Sequence, residues 1–222
     1  MDKTLKELNS PGRSFYDQSN NLEYYHIPKN GMTSIRLHFN LGWVDSINPL
    51  PLDRRVFCVF RNPVDRLISS YVYLKRYGGR DVGCRPIRIE QTSLNAIFGP
   101  PAIGEKVNTL SESFSKYVSE IELNSFFDNH HLPQSYYVDN DLMPGKRPIG
   151  VRKPEFITHY IDFNDMDAGL SLVFGRDIKL PKSNSTSASL ASEIKNGLTK
   201  QTIETINKIY SDDVILYNNT IK

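Results

Sequence analysis

Apolar positions along this chain follow two alternating rhythms. The stretch LEYYHI (22–27) is rich in aromatic and β-branched residues and stops at Pro28, which predicts a strand. From Gly31 onward Met32, Ile35 and Phe39 recur at helical spacing. RRVFCVF (54–60) is a continuous apolar run behind two arginines, as expected of a strand buried on both faces. Val64, Leu67, Ile68, Tyr71 and Leu74 then follow the i, i+3, i+4, i+7 rule, and Pro63 is placed for a first helical turn. Residues 78–104 are rich in Gly and Pro and have no period, so they predict a long excursion holding at most one short helix. Thr109 and Glu112 open the next helix as a capping box, and Phe114, Tyr117, Val118 and Ile121 give it an apolar face.

Further on, 141–154 is turn-rich, FITHYIDF (156–163) predicts a strand, and 165–174 a short helix. A polar loop over 180–189 precedes renewed helical spacing at Ile203, Ile206 and Tyr210. No internal repeat is present. The alternation predicts an α/β domain with a mostly parallel central sheet flanked by helices. Residues 1–21 read as a polar lead-in, and 22–222 as a single domain.

Composition narrows this picture without changing it. A chain of 222 residues can bury a full core, and a net charge of +2 is too small by itself to argue for nucleic acid, so no nucleic-acid partner is expected. Two cysteines make no disulfide framework; Cys58 falls in an apolar run and Cys84 in a Gly/Arg-rich stretch, which fits a reducing compartment. No apolar run approaches the roughly 20 residues of a membrane span, and the first residues lack the apolar centre of a signal peptide. The expectation is a cytoplasmic or otherwise soluble protein without a span, with a Golgi-lumen location only if an N-terminal anchor has been removed.

The chemistry sits at two strand-to-helix corners. In HIPKNGMTS (26–34), Lys29 and Gly31 precede a helix that opens with Thr33 and Ser34. A helix N-terminus presents unpaired N–H groups and a partial positive charge, and so takes anions. Glycine allows close backbone approach, lysine adds full charge and the hydroxyls add donors. The G-x-x-x-x-G-K-[ST] spacing is absent, so this is not a Walker A loop. In FRNPVDRLISSY (60–71), Arg61 ends the second strand and Ser69 lies in the helix that follows. A planar guanidinium suits phosphate, although pairing with Asp65 is an alternative use for Arg61.

Together the corners resemble the PAPS-dependent sulfotransferases, and more narrowly the carbohydrate sulfotransferase branch. HIPKNGMTS is similar to that family's 5′-phosphosulfate loop and FRNPVDRLISSY to its 3′-phosphate segment, with Met32 where the family has a second glycine and Asn62 where it has aspartate. NHHLPQSYYV (129–138) looks like its His-x-x-Pro-Gln segment; YIDFNDM (160–166), LPKSNST (180–186) and INKIYSDDVILY (206–217) follow in the family's order. The resemblance implies a P-loop-like three-layer fold and PAPS as sulfuryl donor, with PAP as product and no metal. It implies that Lys29 meets the 5′-phosphate and the leaving oxygen. Asn30, Gly31, Met32, Thr33 and Ser34 would hold the phosphosulfate, and Arg61 and Ser69 the 3′-phosphate.

A base is also needed to take the acceptor's hydroxyl proton. His131 is the first candidate by the resemblance, ahead of His130, His26, Glu105 and Glu112. The acceptor is expected to be a hydroxyl-bearing glycan. The basic groups Arg76, Arg80, Arg85 and Arg88, and Lys146, Arg147, Arg152 and Lys153, would suit an anionic one, and Tyr136 and Tyr137 would stack on sugar rings. Two other classes fit parts of the pattern. One is a P-loop-like kinase or NTPase, whose magnesium carboxylate would have to be Asp162. The other is a non-catalytic nucleotide- or glycan-binding module on the same fold.

Overall fold

Two short strands open the described chain, β1 (Ser14–Asp17) and β2 (Leu22–Tyr25). The turn between them is held by Asp17, whose carboxylate accepts from the amides of Ser19 and Asn20 at 2.9 and 3.2 Å. The chain continues through α1 (Met32–Phe39), β3 (Gly42–Trp43), β4 (Arg55–Phe60) and α2 (Pro63–Arg76). Next come α3 (Leu110–Asn124), the single turn α4 (Ser135–Val138) and β5 (His159–Asp162). A 3-10 turn (Phe163–Asp165) leads into α5 (Met166–Phe174), followed by α6 (Ala188–Asn196), α7 (Lys200–Ile209) and α8 (Ser211–Ile221). The structure is a computed structural model that describes residues 14–39, 41–43, 51–76, 109–124, 130–138, 157–181 and 188–221.

The sheet order is β3-β1-β2-β4-β5. β2, β4 and β5 pair in parallel, while β1 is antiparallel to both of its neighbours, so β1 alone among the described strands runs against the rest. The expected α/β class and mostly parallel sheet are therefore present. One face carries Phe15, Leu22, Tyr24, Phe57, Val59 and Ile161 and is covered by α1 and α5. The opposite face carries Tyr25, Val56, Cys58 and Phe60 and meets Tyr137 of α4 and Tyr217 of α8. This double covering is why 56–60 reads as an unbroken apolar run rather than an alternating one. A third cluster joins α2, α3, α6 and α7 through Leu67, Tyr71, Phe114, Tyr117, Ile194 and Ile206.

Local signals set the helix starts. Asn62 caps α2, its Oδ1 accepting from the amides of Val64 and Asp65 at 3.0 and 3.4 Å, a role that asparagine and aspartate fill equally well. The predicted capping box forms at α3: the Thr109 amide donates to Glu112 Oε2 at 2.7 Å and the Glu112 amide to Thr109 Oγ1 at 3.2 Å. One expectation needs correction. Residues 1–21 do not form a lead-in throughout, because Ser14–Asp17 is a sheet strand and Phe15 is fully buried. The excursion over 78–104, the turns over 141–154, Cys84 and most of the 180–189 loop lie outside the described residues, as do Glu105, Arg80, Arg85, Arg88, Lys146, Arg147, Arg152 and Lys153.

No described helix is long and apolar enough to cross a membrane.

Candidate functional site

β2 and β4 are parallel neighbours, so both strand-to-helix corners open at the same edge of the sheet. From β2 the chain passes into α1, on the face shared with α5; from β4 it passes into α2, which belongs to the separate helical cluster. The two connections part above the gap between adjacent strands. That is where ligands bind in open α/β sheets.

The first corner is strained in the way a ligand loop is. Lys29 has φ +70° and Gly31 φ +86°. For a lysine this left-handed backbone costs about 1–2 kcal/mol, and it persists only where the surroundings impose it. Those surroundings are hydrogen bonds. The Asn30 amide closes the turn onto the Ile27 carbonyl at 3.3 Å, and Ile35 N bonds Gly31 O at 3.1 Å as the helix begins. The Tyr24 hydroxyl donates to the Asn30 carbonyl at 3.3 Å. A Cβ at Gly31 would also lie 2.8 Å from Met166 Sδ, so that the methionine side chain would have to move aside. Met32, standing where the resembled family has glycine, turns into the apolar cluster beneath α1. Thr33 and Ser34 lie half-buried in the first turn of α1. The Lys29 ammonium stands 3.7 Å from the centre of the Tyr73 ring.

The second corner touches the first. Arg61 Nη1 donates to the Lys29 carbonyl at 3.2 Å, and the guanidinium lies 4.1 Å over the Phe163 ring. Arg61 is half-buried, yet its Nε is shut from solvent and has no hydrogen-bond partner among the described residues. Asp65, the carboxylate that could have paired with it, instead accepts from Lys195 at 2.9 Å. Burial pulls the Arg61 pKa down to about 10, with Asp65 opposing and Arg66 adding to the fall. It stays charged at neutral pH and is held where solvent compensates it poorly. Ser69 sits on α2 and is buried; no hydrogen bond ties it to Arg61. Its neighbour Ser70 reaches the Arg66 and His130 carbonyls, each at 3.1 Å.

Two residues that the motif reading left unassigned hold the corners together. Gln134, fully buried, bonds Asn30 on one side and the backbone of Arg61 on the other. Arg66, also buried, donates from Nε to the Pro28 carbonyl at 3.0 Å and from Nη1 to the Leu132 carbonyl at 2.8 Å. Behind them Asp213 accepts from the amides of Gln134 and Ser135 at 2.7 and 2.8 Å. Burial pushes the Asp213 carboxyl up, opposed by Arg66 and these two amides. Both Gln134 and Arg66 stand inside the quoted motifs, so their positions in the sequence were the available signal.

The candidate bases separate clearly. His131 does not face a cleft: it is fully buried, its Nε2 pairs with the Tyr117 hydroxyl, and its carbonyl accepts from Tyr210 at 2.8 Å. A base must reach the proton it takes, and the His131 ring is closed off from solvent here. Counted back from Pro133-Gln134, the His-x-x-Pro-Gln spacing itself lands on His130. The His130 ring is 5.3 Å from the Tyr73 ring that carries Lys29 on its other contact. His26 is buried edge-on against Phe15 and Tyr24. Glu112 is spent in the capping box. Tyr137 is core; Tyr136 is half-buried. Asp162 caps the 3-10 turn through Asn164 N at 3.0 Å and accepts from Tyr217 at 3.0 and 3.1 Å.

No protein-family model matches this sequence, and comparisons with curated proteins and with solved structures gave no match.

Proposed function

We propose that this protein is a sulfotransferase that moves a sulfuryl group from PAPS to an acceptor hydroxyl, on a P-loop-like α/β fold. The observation that carries the reading is Arg61. It is a half-buried guanidinium with a closed-off, unpartnered Nε and no carboxylate paired to it among the described residues. It is also hydrogen-bonded to the backbone of Lys29 in the neighbouring corner. A charge held this way is stabilised by an anion, and a guanidinium fork suits phosphate. Two anion-binding corners, one at Gly31 and one at Arg61, would suit a nucleotide phosphorylated at both 5′ and 3′ positions.

In this reading the acceptor oxygen forms a bond to sulfur as the bond from sulfur to the 5′-phosphate oxygen breaks. Lys29 and the α1 N-terminus stabilise the charge that develops on the leaving oxygen. His130, half-buried and two ring contacts from Lys29, takes the acceptor proton. A carbohydrate acceptor follows from the branch that the corner motifs resemble.

Calorimetry with PAP and AMP tests the reading. PAP is expected to bind more tightly than AMP, and Arg61→Ala to lose about 1.5–3 kcal/mol of PAP binding. Equal affinities for PAP and AMP in the wild type would overturn it. Transfer from labelled PAPS is expected to survive exhaustive chelation; activity abolished by chelation and restored by magnesium would point to a kinase instead.

A further inference from the structure

We infer that Gln134 is a positioning residue that fixes the spacing of the two corners, so that the cradle at Gly31 and the guanidinium of Arg61 hold two anionic groups of one ligand. Gln134 is fully buried and cannot itself touch a ligand. Its Oε1 accepts from Asn30 Nδ2 at 2.6 Å and from the Arg61 amide at 3.0 Å, while its Nε2 donates to the Arg61 carbonyl at 2.8 Å. The carboxamide thus pairs with both backbone groups of Arg61 as a neighbouring strand would, at the residue just past the end of β4. Asn30 completes the link, since its Nδ2 also donates to the Val59 carbonyl at 2.6 Å.

Gln134 is fixed from behind in turn. Asp213, near the start of α8, takes the Gln134 and Ser135 amides. Arg66 of α2 grips the carbonyls of Pro28 and Leu132, on either side of the same junction. Only a side chain that offers a donor and an acceptor at fixed separation satisfies Arg61 and Asn30 together. A hydroxyl is too short to do so, and an ionised carboxylate lacks the donor. A shift of Gln134 therefore moves Arg61 relative to Gly31 without removing either one.

The choice of nucleotide rests on the sulfotransferase reading, so the test has one arm with ligand and one without. In the first, PAP and AMP affinities are measured for wild type, Gln134→Leu and Gln134→Glu. Gln134→Leu is expected to lose about tenfold in PAP affinity and less than about threefold in AMP affinity, because only PAP spans both corners. In Gln134→Glu the loss should shrink as pH falls, measured against wild type at each pH. A protonated carboxyl again offers one donor and one acceptor. A merely structural role predicts equal losses for PAP and AMP and no recovery at low pH, and that result would overturn the inference.

The second arm uses ligand-free protein. Asn30→Ala is expected to shift the NMR signal of the Arg61 backbone amide in the wild-type background and to shift it much less in Gln134→Leu, or in Gln134→Glu at neutral pH should the leucine variant not fold, since only the contact through Val59 then remains. Equal shifts in both backgrounds, or none in either, would overturn the inference. If wild type binds neither nucleotide, the sulfotransferase reading fails and this second arm alone decides the role of Gln134.

Discussion

Gly31 and Arg61 are each constrained from two sides, and substitutions separate the constraints. At Gly31 an added Cβ meets both a positive φ and Met166 Sδ at 2.8 Å. Gly31→Ala is therefore expected to cost about 1–3 kcal/mol of stability and to weaken PAP binding, both visible in thermal melts with and without PAP. Arg61 shows the opposite split. Its charge is poorly compensated in the ligand-free protein, so Arg61→Met should leave stability within about 1 kcal/mol of wild type or raise it. The same change should abolish most of the stabilisation that PAP confers. The pH dependence has a definite sign. Burial lowers the folded pKa of Arg61 from the ordinary arginine range to about 10, so the charge is lost as pH rises through that value. PAP affinity should fall above pH of about 10 in wild type, and fall less in Arg61→Met at the same pH, since only wild type has this charge to lose. The native state should regain stability over the same rise, because the unfolded arginine still holds its proton there.

Elements were legible where their cause is local. The apolar spacing behind Pro63 and the box at Thr109 and Glu112 are short-range patterns, and α2 and α3 stand where those patterns place them. Thr109→Ala should thus cost about 1 kcal/mol in chemical denaturation and leave PAP affinity unchanged, since the box lies on an exposed helix start far along the chain from both corners. Both corners were legible for the same reason: strand, turn residues and helix follow one another directly. The Gln134 clamp was not, because a hydrogen bond from Asn30 to a residue 104 positions away leaves no periodic trace. The His-x-x-Pro-Gln spacing already separated His130 from His131, and the backbone bend agrees with it. Adjacent residues there point apart, one into the Tyr117 and Tyr210 core and one toward Tyr73.

At the scale of the whole molecule the sheet begins earlier than the apolar pattern suggested. Ser14, Tyr16 and Asp17 dilute β1 with polar groups, and only Phe15 declares it. Phe15 nevertheless is fully buried, stacks 6.0 Å from Tyr24 and lies edge-on to His26 just ahead of the first corner. Without β1, the edge of β2 would offer unpaired backbone groups to other chains, and the core beneath α1 would lose an aromatic wall. Phe15→Ala is accordingly expected to cost about 3–5 kcal/mol in urea unfolding, whereas Leu172→Ala, at 77% exposure on α5, should change stability by less than about 0.5 kcal/mol. A chain beginning at Leu22 should then aggregate or melt well below the 1–222 chain. Identical unfolding midpoints for the full chain and the 22–222 chain would instead mean that β1 adds nothing to the domain, and that residues 1–21 are a lead-in after all.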